Sequence, residues 1–284
     1  MADRRILLHA VSFLILTAPV VLAQGTSAWV SFGPDHRLQY ATDAQGNRIM
    51  DFSFTGYEGG GVRPPVVPVA AHVRPSGGDD TAAIQSAIDE VSAMPLDDKG
   101  FRGAVLLHPG TYNVSATVNI AASGVVLRGA GGNGGGQAET VINMTGDPFL
   151  FLRISGSGSW QTVGAPAVMI DSYVPAGATS FNVSDASSFA VGDTVLVRRP
   201  VTAAWIHLLG MDTLVRNGQP QTWISAGSLI NTDRVIAAID GNRITLDVPL
   251  TDNFDAQYLN PPGGSVVKYV FPGRISRGGP STLP

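Results

Sequence analysis

The segment from Trp205 to Trp223 holds the side chains of this sequence that are best suited to binding chemistry. It is the least strand-like and most aromatic stretch, and His207 and Arg216 lie between the two tryptophans. Indole faces stack on sugar rings, and an imidazole or a guanidinium can contact a uronate carboxylate. We therefore predict a substrate-binding surface formed by Trp205, His207, Arg216 and Trp223. The alternative is that this segment serves packing, as buried aromatic residues usually do, and that it is anchored to a domain core by Trp205, Ile206, Leu208 and Leu209.

The acidic residues do not define a catalytic centre. Asp79 and Asp80 are adjacent, but they precede a helical pattern whose first-turn N–H groups need acceptors, which predicts helix capping. Asp252 and Asp255 flank a loop with no third carboxylate close to them in the sequence. No catalytic residue is therefore assigned, and no metal site is predicted.

The histidines and the nucleophile motifs give no second candidate site. His72 lies in an extended stretch rich in valine, and His108 ends a strand before Pro109, so both are predicted to be structural. The sequence contains no Gly-x-Ser-x-Gly turn, no His-Glu-x-x-His helix and no phosphate-binding loop with its lysine. The chain has no cysteine, which excludes disulfides, thiolate metal sites and a cysteine nucleophile.

The composition is that of a globular protein with no affinity for nucleic acid. Hydrophobic residues are 44% of the 284 residues, enough for a sizeable core in one or two domains. Charged residues are only 14%, and the net charge is −4. Since phosphate backbones attract basic patches and none is present in the sequence, nucleic acid is excluded as a predicted partner.

The N-terminus has the pattern of a signal peptide. Arg4 and Arg5 precede the apolar run Ile6–Leu22, and Ala23 is a small residue of the kind that signal peptidase prefers. A membrane anchor is the alternative, but polar residues and a proline shorten the run below what a spanning helix needs. We predict a secreted or periplasmic protein that keeps no membrane anchor after cleavage before Gln24. Export without disulfides suggests a bacterial source.

Short β-branched runs separated by Gly, Pro and Asn turns predict a mainly β fold. The expected strands of the first half are Val105–Leu107, Val114–Ile120, Val125–Arg128, Thr140–Met144 and Phe149–Ile154. One helix precedes them, because apolar residues recur at helical spacing between Asp80 and Pro95. The residues on this face are Ile84, Ala87, Ile88 and Val91. A single amphipathic helix ahead of short strands suits a cap over the apolar end of a solenoid.

Three runs resemble a known family: Gly78–Asp89 (GDDTAAIQSAID), Gly103–Tyr112 (GAVLLHPGTY) and Val125–Gly129 (VVLRG). They are similar to the N-terminal capping region of the pectate-lyase superfamily. The resemblance covers about residues 51–154 and implies the N-terminal part of a right-handed parallel β-helix with one capping helix. Members include pectin and rhamnogalacturonan lyases, polygalacturonase-like hydrolases, epimerases and phage tailspikes, so the fold does not give the function. For a full-length lyase it also implies Ca²⁺ between clustered carboxylates and substrate.

The sequence changes character after Ile154, which predicts a small β-rich domain, inserted or appended. Within it, Asp240-Gly241-Asn242 between two β-branched runs predicts a hairpin. The predicted divisions are a signal peptide (1–23), an extended N-terminal segment (24–75), the cap and first coils (76–158), the small β domain with the aromatic loop (159–271) and an irregular tail (272–284). Only about two or three coils fit before Ile154, so we expect the N-terminal part of a longer protein.

These observations predict a secreted carbohydrate-active protein, the N-terminal part of a polysaccharide lyase that acts on a uronate-containing polymer. The alternatives are a glycoside hydrolase on the same fold and a non-catalytic glycan-binding protein of the adhesin or tailspike-like kind. A polysaccharide is the predicted partner in each case. The polymer, the reaction, the cofactor and the oligomeric state stay open.

Overall fold

A computed structural model of this chain describes residues 27–34, 36, 38–131, 139–277 and 279–282, the last range by its backbone alone. The predicted signal peptide, residues 1–23, lies outside the described residues. Among the described residues, no helix is long and apolar enough to cross a membrane. Strands far outnumber helices, which confirms the prediction of a mainly β fold.

The chain divides into two compact units, of which the first spans Met1–Ile49. Its described part contains an antiparallel hairpin of β1 (Val30–Phe32) and β2 (Leu38–Tyr40). A turn follows, in which the carboxylate of Asp43 accepts a hydrogen bond from the backbone N–H of Asn47 at 2.8 Å. The N-terminal segment, predicted to be extended, therefore contains paired strands.

In the second unit, Met50–Pro284, two short 3-10 helices (Phe52–Phe54 and Tyr57–Gly59) precede a series of parallel strands. In chain order these are β3 (Val69–Val73), β4 (Gly103–Leu107), β5 (Gly110–Val114), β6 (Val118–Ile120), β7 (Val125–Gly129), β8 (Thr140–Met144) and β9 (Leu152–Ile154). Strand β4 pairs in parallel with β3 and β7, β5 pairs with β8, and β6 pairs with β9. The chain passes these ladders in the same order twice. Strands β3, β4 and β7 lie in this order in one ladder, so each of them begins one coil of the chain. We call β4–β6 the second coil and β7–β9 the third coil.

Alternating residues of the strands fill the interior of the coils. In β5, Tyr112 and Val114 are fully buried, whereas Thr111 is exposed. This is the pattern of a strand with one face on a core. Gly110 starts the strand with φ +134°, and a Cβ there would lie 2.6 Å from Pro75, so glycine is required. The sequence Pro109-Gly110-Thr111-Tyr112 predicts a chain reversal with positive φ at its glycine, and this prediction is confirmed.

One helix, α1 (Thr81–Ser92), covers the interior of the coils. Its buried face consists of Ile84, Ala87, Ile88 and Val91, as the helical spacing predicted. Asp79 accepts a hydrogen bond from the backbone N–H of Thr81 at 2.9 Å, so the capping prediction is confirmed for Asp79. It is wrong for Asp80, whose side chain makes no capping bond. The backbone of Asp80 instead bridges to β5, which turns its carboxylate inward.

The predicted strand Val114–Ile120 is not continuous. The chain turns at Ser115-Ala116-Thr117, between β5 and β6, and the backbone N–H of Ser115 donates to the hydroxyl of Thr81 at 2.9 Å. Val114 and Val118 are both fully buried on either side of this corner. The apolar positions therefore belong to two different ladders, β5 with β8 and β6 with β9, which a count of β-branched residues does not reveal.

A mainly antiparallel β domain follows the third coil. Its elements are β10 (Gln161–Val168), β11 (Tyr173–Val174), β12 (Ser180–Asn182), β13 (Thr194–Pro200), α2 (Ala203–Leu208), β14 (Val215–Arg216), β15 (Gln219–Pro220), β16 (Leu229–Asp240), β17 (Arg243–Leu246), β18 (Phe254–Asp255), α3 (Ala256–Leu259) and β19 (Ser265–Val270). Six strands form a sheet in the order β10-β19-β13-β16-β17-β12. The pairing of Asp240 with Arg243 confirms the hairpin predicted at Asp240-Gly241-Asn242.

The last strand returns to the coils. Strand β20 (Gly279–Thr282) pairs in parallel with β7, with Gly279 opposite Val126. The antiparallel domain thus lies, in sequence, between two strands of one ladder. The tail 272–284 was predicted to be irregular, but it contains this strand. Glycine and proline have low strand propensity, and the pairing partner is distant in sequence, so the local pattern gave no strand signal.

Candidate functional site

The predicted binding residues lie in the segment that joins β13 to β16, residues 201–228, which we call the α2 loop. The hydroxyl of Thr202 accepts a hydrogen bond from the backbone N–H of Trp205 at 3.0 Å and so begins helix α2. Val201, Ile206 and Met211 form a small buried core beneath the loop. At its end, the N–H of Gly227 donates to the carbonyl of Val201 at 2.8 Å. The two ends of the α2 loop are thus hydrogen-bonded to each other, and its interior is filled by its own side chains.

Trp205 lies at the base of the α2 loop. Its side chain is partly buried and packs against the core beneath the loop. The guanidinium of Arg199 lies 5.7 Å from the centre of its ring and 4.8 Å from that of Phe254. Arg199 is itself buried, and this burial lowers its pKa. The packing alternative therefore holds for Trp205 and for Ile206, which is buried. It is wrong for Leu208 and Leu209, which are about half exposed.

His207 and Asp212 form an exposed pair at the end of α2. Nδ1 of His207 lies 2.8 Å from Oδ2 of Asp212, and the imidazole is 73% exposed. The hydrogen bond from His207 lowers the pKa of Asp212 below its usual value. Asp212 is therefore a carboxylate at neutral pH, suited to accept hydrogen bonds rather than to donate a proton.

Arg216 and Trp223 lie on the outer part of the α2 loop. Arg216 is exposed on β14, which is joined to β15 by a two-residue turn with positive φ at Asn217 and Gly218. Trp223 is 68% exposed. Its neighbour Thr222 donates a hydrogen bond to the carbonyl of Met211 at 3.1 Å, which links the segment after β15 to the turn after α2.

Apolar side chains accompany these polar groups on the surface of the α2 loop. The exposed ones besides Trp223 are Leu208, Leu209, Leu214 and Val215. An exposed indole among apolar and charged side chains is suited to a ligand with both apolar faces and polar edges, as sugar rings have.

The carboxylates considered from sequence serve local structure. Hydrogen bonds from Ser115 and Thr81 lower the pKa of Asp79 to about 2. Asp255 accepts a hydrogen bond from the backbone N–H of Gln257 at 2.9 Å and begins α3. Over the described ranges, no group of three or more His, Cys, Asp or Glu side chains could hold a metal ion.

The structure brings together one pair that the sequence treated as separate. Nδ1 of His72 lies 3.0 Å from Nε2 of His108, and the two rings stack with centres 5.1 Å apart. Burial lowers the pKa of His108, and the nearby charges of Arg74 and His72 lower it further. The pair forms because β3 and β4 are parallel neighbours, and the register of these strands is the signal that could have predicted it.

Comparison with known proteins gives no family for this chain. No family model matches the sequence, and no curated protein matches it. Three solved phage tailspikes are similar in structure. The tailspike Gp54 of Acinetobacter baumannii bacteriophage AP22, solved in complex with A. baumannii capsular saccharide, is 13% identical with a TM-score of 0.36, over 75% of this chain and 29% of that one.

The other two tailspikes come from Pseudomonas phages. Gp49 of phage LKA1 is 16% identical with a TM-score of 0.27, over 66% of this chain and 25% of that one. Gp61 of phage phi297 is 16% identical with a TM-score of 0.33, over 66% and 24%. This chain therefore spans under a third of the length of each tailspike, and likenesses at these TM-scores do not establish a shared function.

Proposed function

We propose that this protein binds a polysaccharide without cleaving it, through the α2 loop of a domain inserted between coils of a right-handed parallel β-helix. The observation that carries the proposal is the exposure of Trp223, 68%, beside polar groups on a loop that packs onto its own core. A large indole is seldom left in water without a partner, and its flat face complements the apolar face of a pyranose ring.

The parallel ladders support the β-helix part of the proposal. Strands β4, β5 and β6 are followed at the same positions by β7, β8 and β9, and β20 begins a further turn. Repeated coils of this kind are typical of solenoids, whose length gives extended binding surfaces. The antiparallel domain would then project from the stack and present the α2 loop.

The polar groups of the α2 loop favour an acidic polysaccharide. Arg216 supplies a guanidinium suited to a uronate carboxylate, and the His207–Asp212 pair can donate to and accept from sugar hydroxyls. Asp212 has a lowered pKa, so it is ionised at neutral pH and is unsuited to protonate a leaving group, as hydrolysis requires. These properties favour binding over hydrolysis.

Binding of polygalacturonate, with dextran as the neutral comparison, tests the proposal by isothermal titration calorimetry. Trp223→Ala should weaken binding of polygalacturonate at least about tenfold, the cost of truncating a central aromatic contact. The matched control is Trp29→Ala, which removes another exposed tryptophan from the first unit and should leave affinity unchanged. Arg216→Gln should weaken binding of the acidic polymer alone.

Two results would contradict the proposal. If the parent and Trp223→Ala bind polygalacturonate with equal affinity, the α2 loop is not the binding surface. An increase in ultraviolet absorbance during incubation with polygalacturonate would reveal an unsaturated uronate and hence a lyase.

A further inference from the structure

The third coil leaves apolar side chains exposed at positions that are buried in the second coil. Val114 pairs in register with Met144, and Ile120 pairs with Ile154. Val114 and Ile120 are both 0% exposed, whereas Met144 is 44% and Ile154 is 38% exposed. All four side chains are apolar, so the difference in exposure arises because the third coil covers those of the second coil and no described strand covers those of the third.

The same surface includes free strand edges. Strand β8 pairs with β5, and β9 pairs with β6, each as a two-stranded sheet. Among the described residues, no strand pairs with the opposite edge of β8 or β9. Ile142 and Leu152, which stack on Tyr112 and Val118, are also only partly buried.

The remaining ladder shows what a covering strand does. Here β20 pairs in parallel with β7, and Pro280 lies opposite Leu127. Leu127 belongs to the same coil as Met144, yet it is only 5% exposed. A fourth strand thus covers one side of the third coil and leaves the other two sides open.

A row of polar side chains on the outside of the coils stops at the same place. Asp79 bridges in parallel to Asn113, and Asn113 pairs with Asn143. The side-chain amide of Asn143 donates to Oδ1 of Asn113 at 2.7 Å. Asn143 is exposed and ends the row, in position to accept one more amide donor from a strand laid on β8.

We propose that this surface, which we call the coil end (Ile142, Met144, Leu152 and Ile154), is a docking site for one further β-coil that enters from β20. The occupant is a polypeptide with two short strands, parallel to β8 and β9, whose inward residues are apolar. The register of β20 supports this choice, because β20 already begins such a coil over β7.

The second coil supplies a probe for the experiment. The extended protein carries a copy of residues 108–124 in place of Leu283-Pro284. Thr282 and Leu107 both pair with Gly129, so the copy follows β20 at the same position at which residue 108 follows β4. The copied inward residues would lie on the coil end: Tyr112 on Ile142, Val114 on Met144, Val118 on Leu152 and Ile120 on Ile154. The control extension carries serine at these four copied positions.

Amide hydrogen exchange over residues 139–155 is the measurement. The apolar extension should slow exchange there by about tenfold relative to the 284-residue chain, because it buries and pairs the free edges. The serine extension should leave exchange unchanged. Exchange over α1, which lies at the other side of the second coil, should be the same in all three proteins.

Three results would overturn the proposal. One is equal exchange over residues 139–155 with the apolar and serine extensions, and another is loss of protection at α1 with the apolar extension. The third is dimerisation of the unextended chain in sedimentation, accompanied by slower exchange over 139–155 as concentration rises. That result would assign the coil end to a second copy of this chain.

Discussion

Replacing Asp80 by asparagine changes the hydrogen bonding of a buried carboxylate and leaves its size unchanged. Asp80 is fully buried at the start of α1. Its Oδ1 accepts a hydrogen bond from the backbone N–H of Ser76 at 2.8 Å, and its Oδ2 accepts one from Asn113 at 3.2 Å. An asparagine retains only one acceptor, so its amide group must face one of the two backbone N–H groups.

The expected cost follows from the loss of one charge-assisted hydrogen bond at a partly buried donor, about 2 kcal/mol. For a protein of this size, 1 kcal/mol corresponds to roughly 2–4 °C in Tm, so Asp80→Asn should lower Tm by about 4–8 °C. Asp80→Ala leaves both N–H groups of the turn without an acceptor and should cost about 3 kcal/mol.

Thermal unfolding followed by circular dichroism measures these shifts. Asp79→Asn is the matched control, because Asp79 is adjacent but exposed, and it should lower Tm by less. A Tm for Asp80→Asn equal to that of the parent would refute the reasoning. So would a larger decrease for Asp79→Asn, since the exposed carboxylate would then be the one that holds the turn.

The remaining predictions concern pH. The folded pKa of His108 is below 6.5, so the unfolded chain binds the proton better, and stability should fall as pH decreases through 6.5. His108→Gln should reduce this fall in Tm scans between pH 8 and 5, and an unchanged slope would contradict the assignment. Asp79 has a folded pKa of about 2 against 3.8 unfolded, so its contribution is complete above pH 3.8 and lost as pH falls through 2. The stability difference between parent and Asp79→Ala in urea should therefore shrink between pH 5 and 2, and a constant difference would contradict it.

Features set by residues close in sequence were predictable. The buried face of α1 follows from helical spacing. The turn at Gly110 follows from the Pro-Gly-Thr sequence, because glycine readily adopts the positive φ that the turn requires. The hairpin at Asp240-Gly241-Asn242 is of the same kind, because turn residues fix the pairing of their own flanking strands.

Features set by parallel pairing were not predictable from the sequence alone. His72 and His108 are 36 residues apart, and only the pairing of β3 with β4 brings their rings into contact. The return of β20 to β7 crosses the whole antiparallel domain, and its Gly-Pro-Ser-Thr sequence has little strand propensity. Such contacts depend on packing that no local window contains.

The aromatic segment shows the same limit at the candidate site. The sequence placed Trp205 and Trp223 in one predicted surface, but it could not distinguish their environments. Trp205 faces the buried residues Val201 and Met211, whereas Trp223 comes after the chain has crossed the β14–β15 hairpin and is exposed. The difference depends on how the loop folds onto its own core, which follows from tertiary packing.

The two ends of the antiparallel domain are neighbours. Gln161 at the start of β10 pairs with Val270 at the end of β19, and the N–H of Ser157 donates to the carbonyl of Gly273 at 3.1 Å. The coils therefore lose and regain the chain at two adjacent points, Ser157 and Gly273, as they would if a tight turn joined these residues. A different domain with adjacent termini, or a short linker, would therefore fit between β9 and β20 without moving either strand. Such an exchange would replace the α2 loop together with its domain and would leave the pairing of β20 with β7 unchanged.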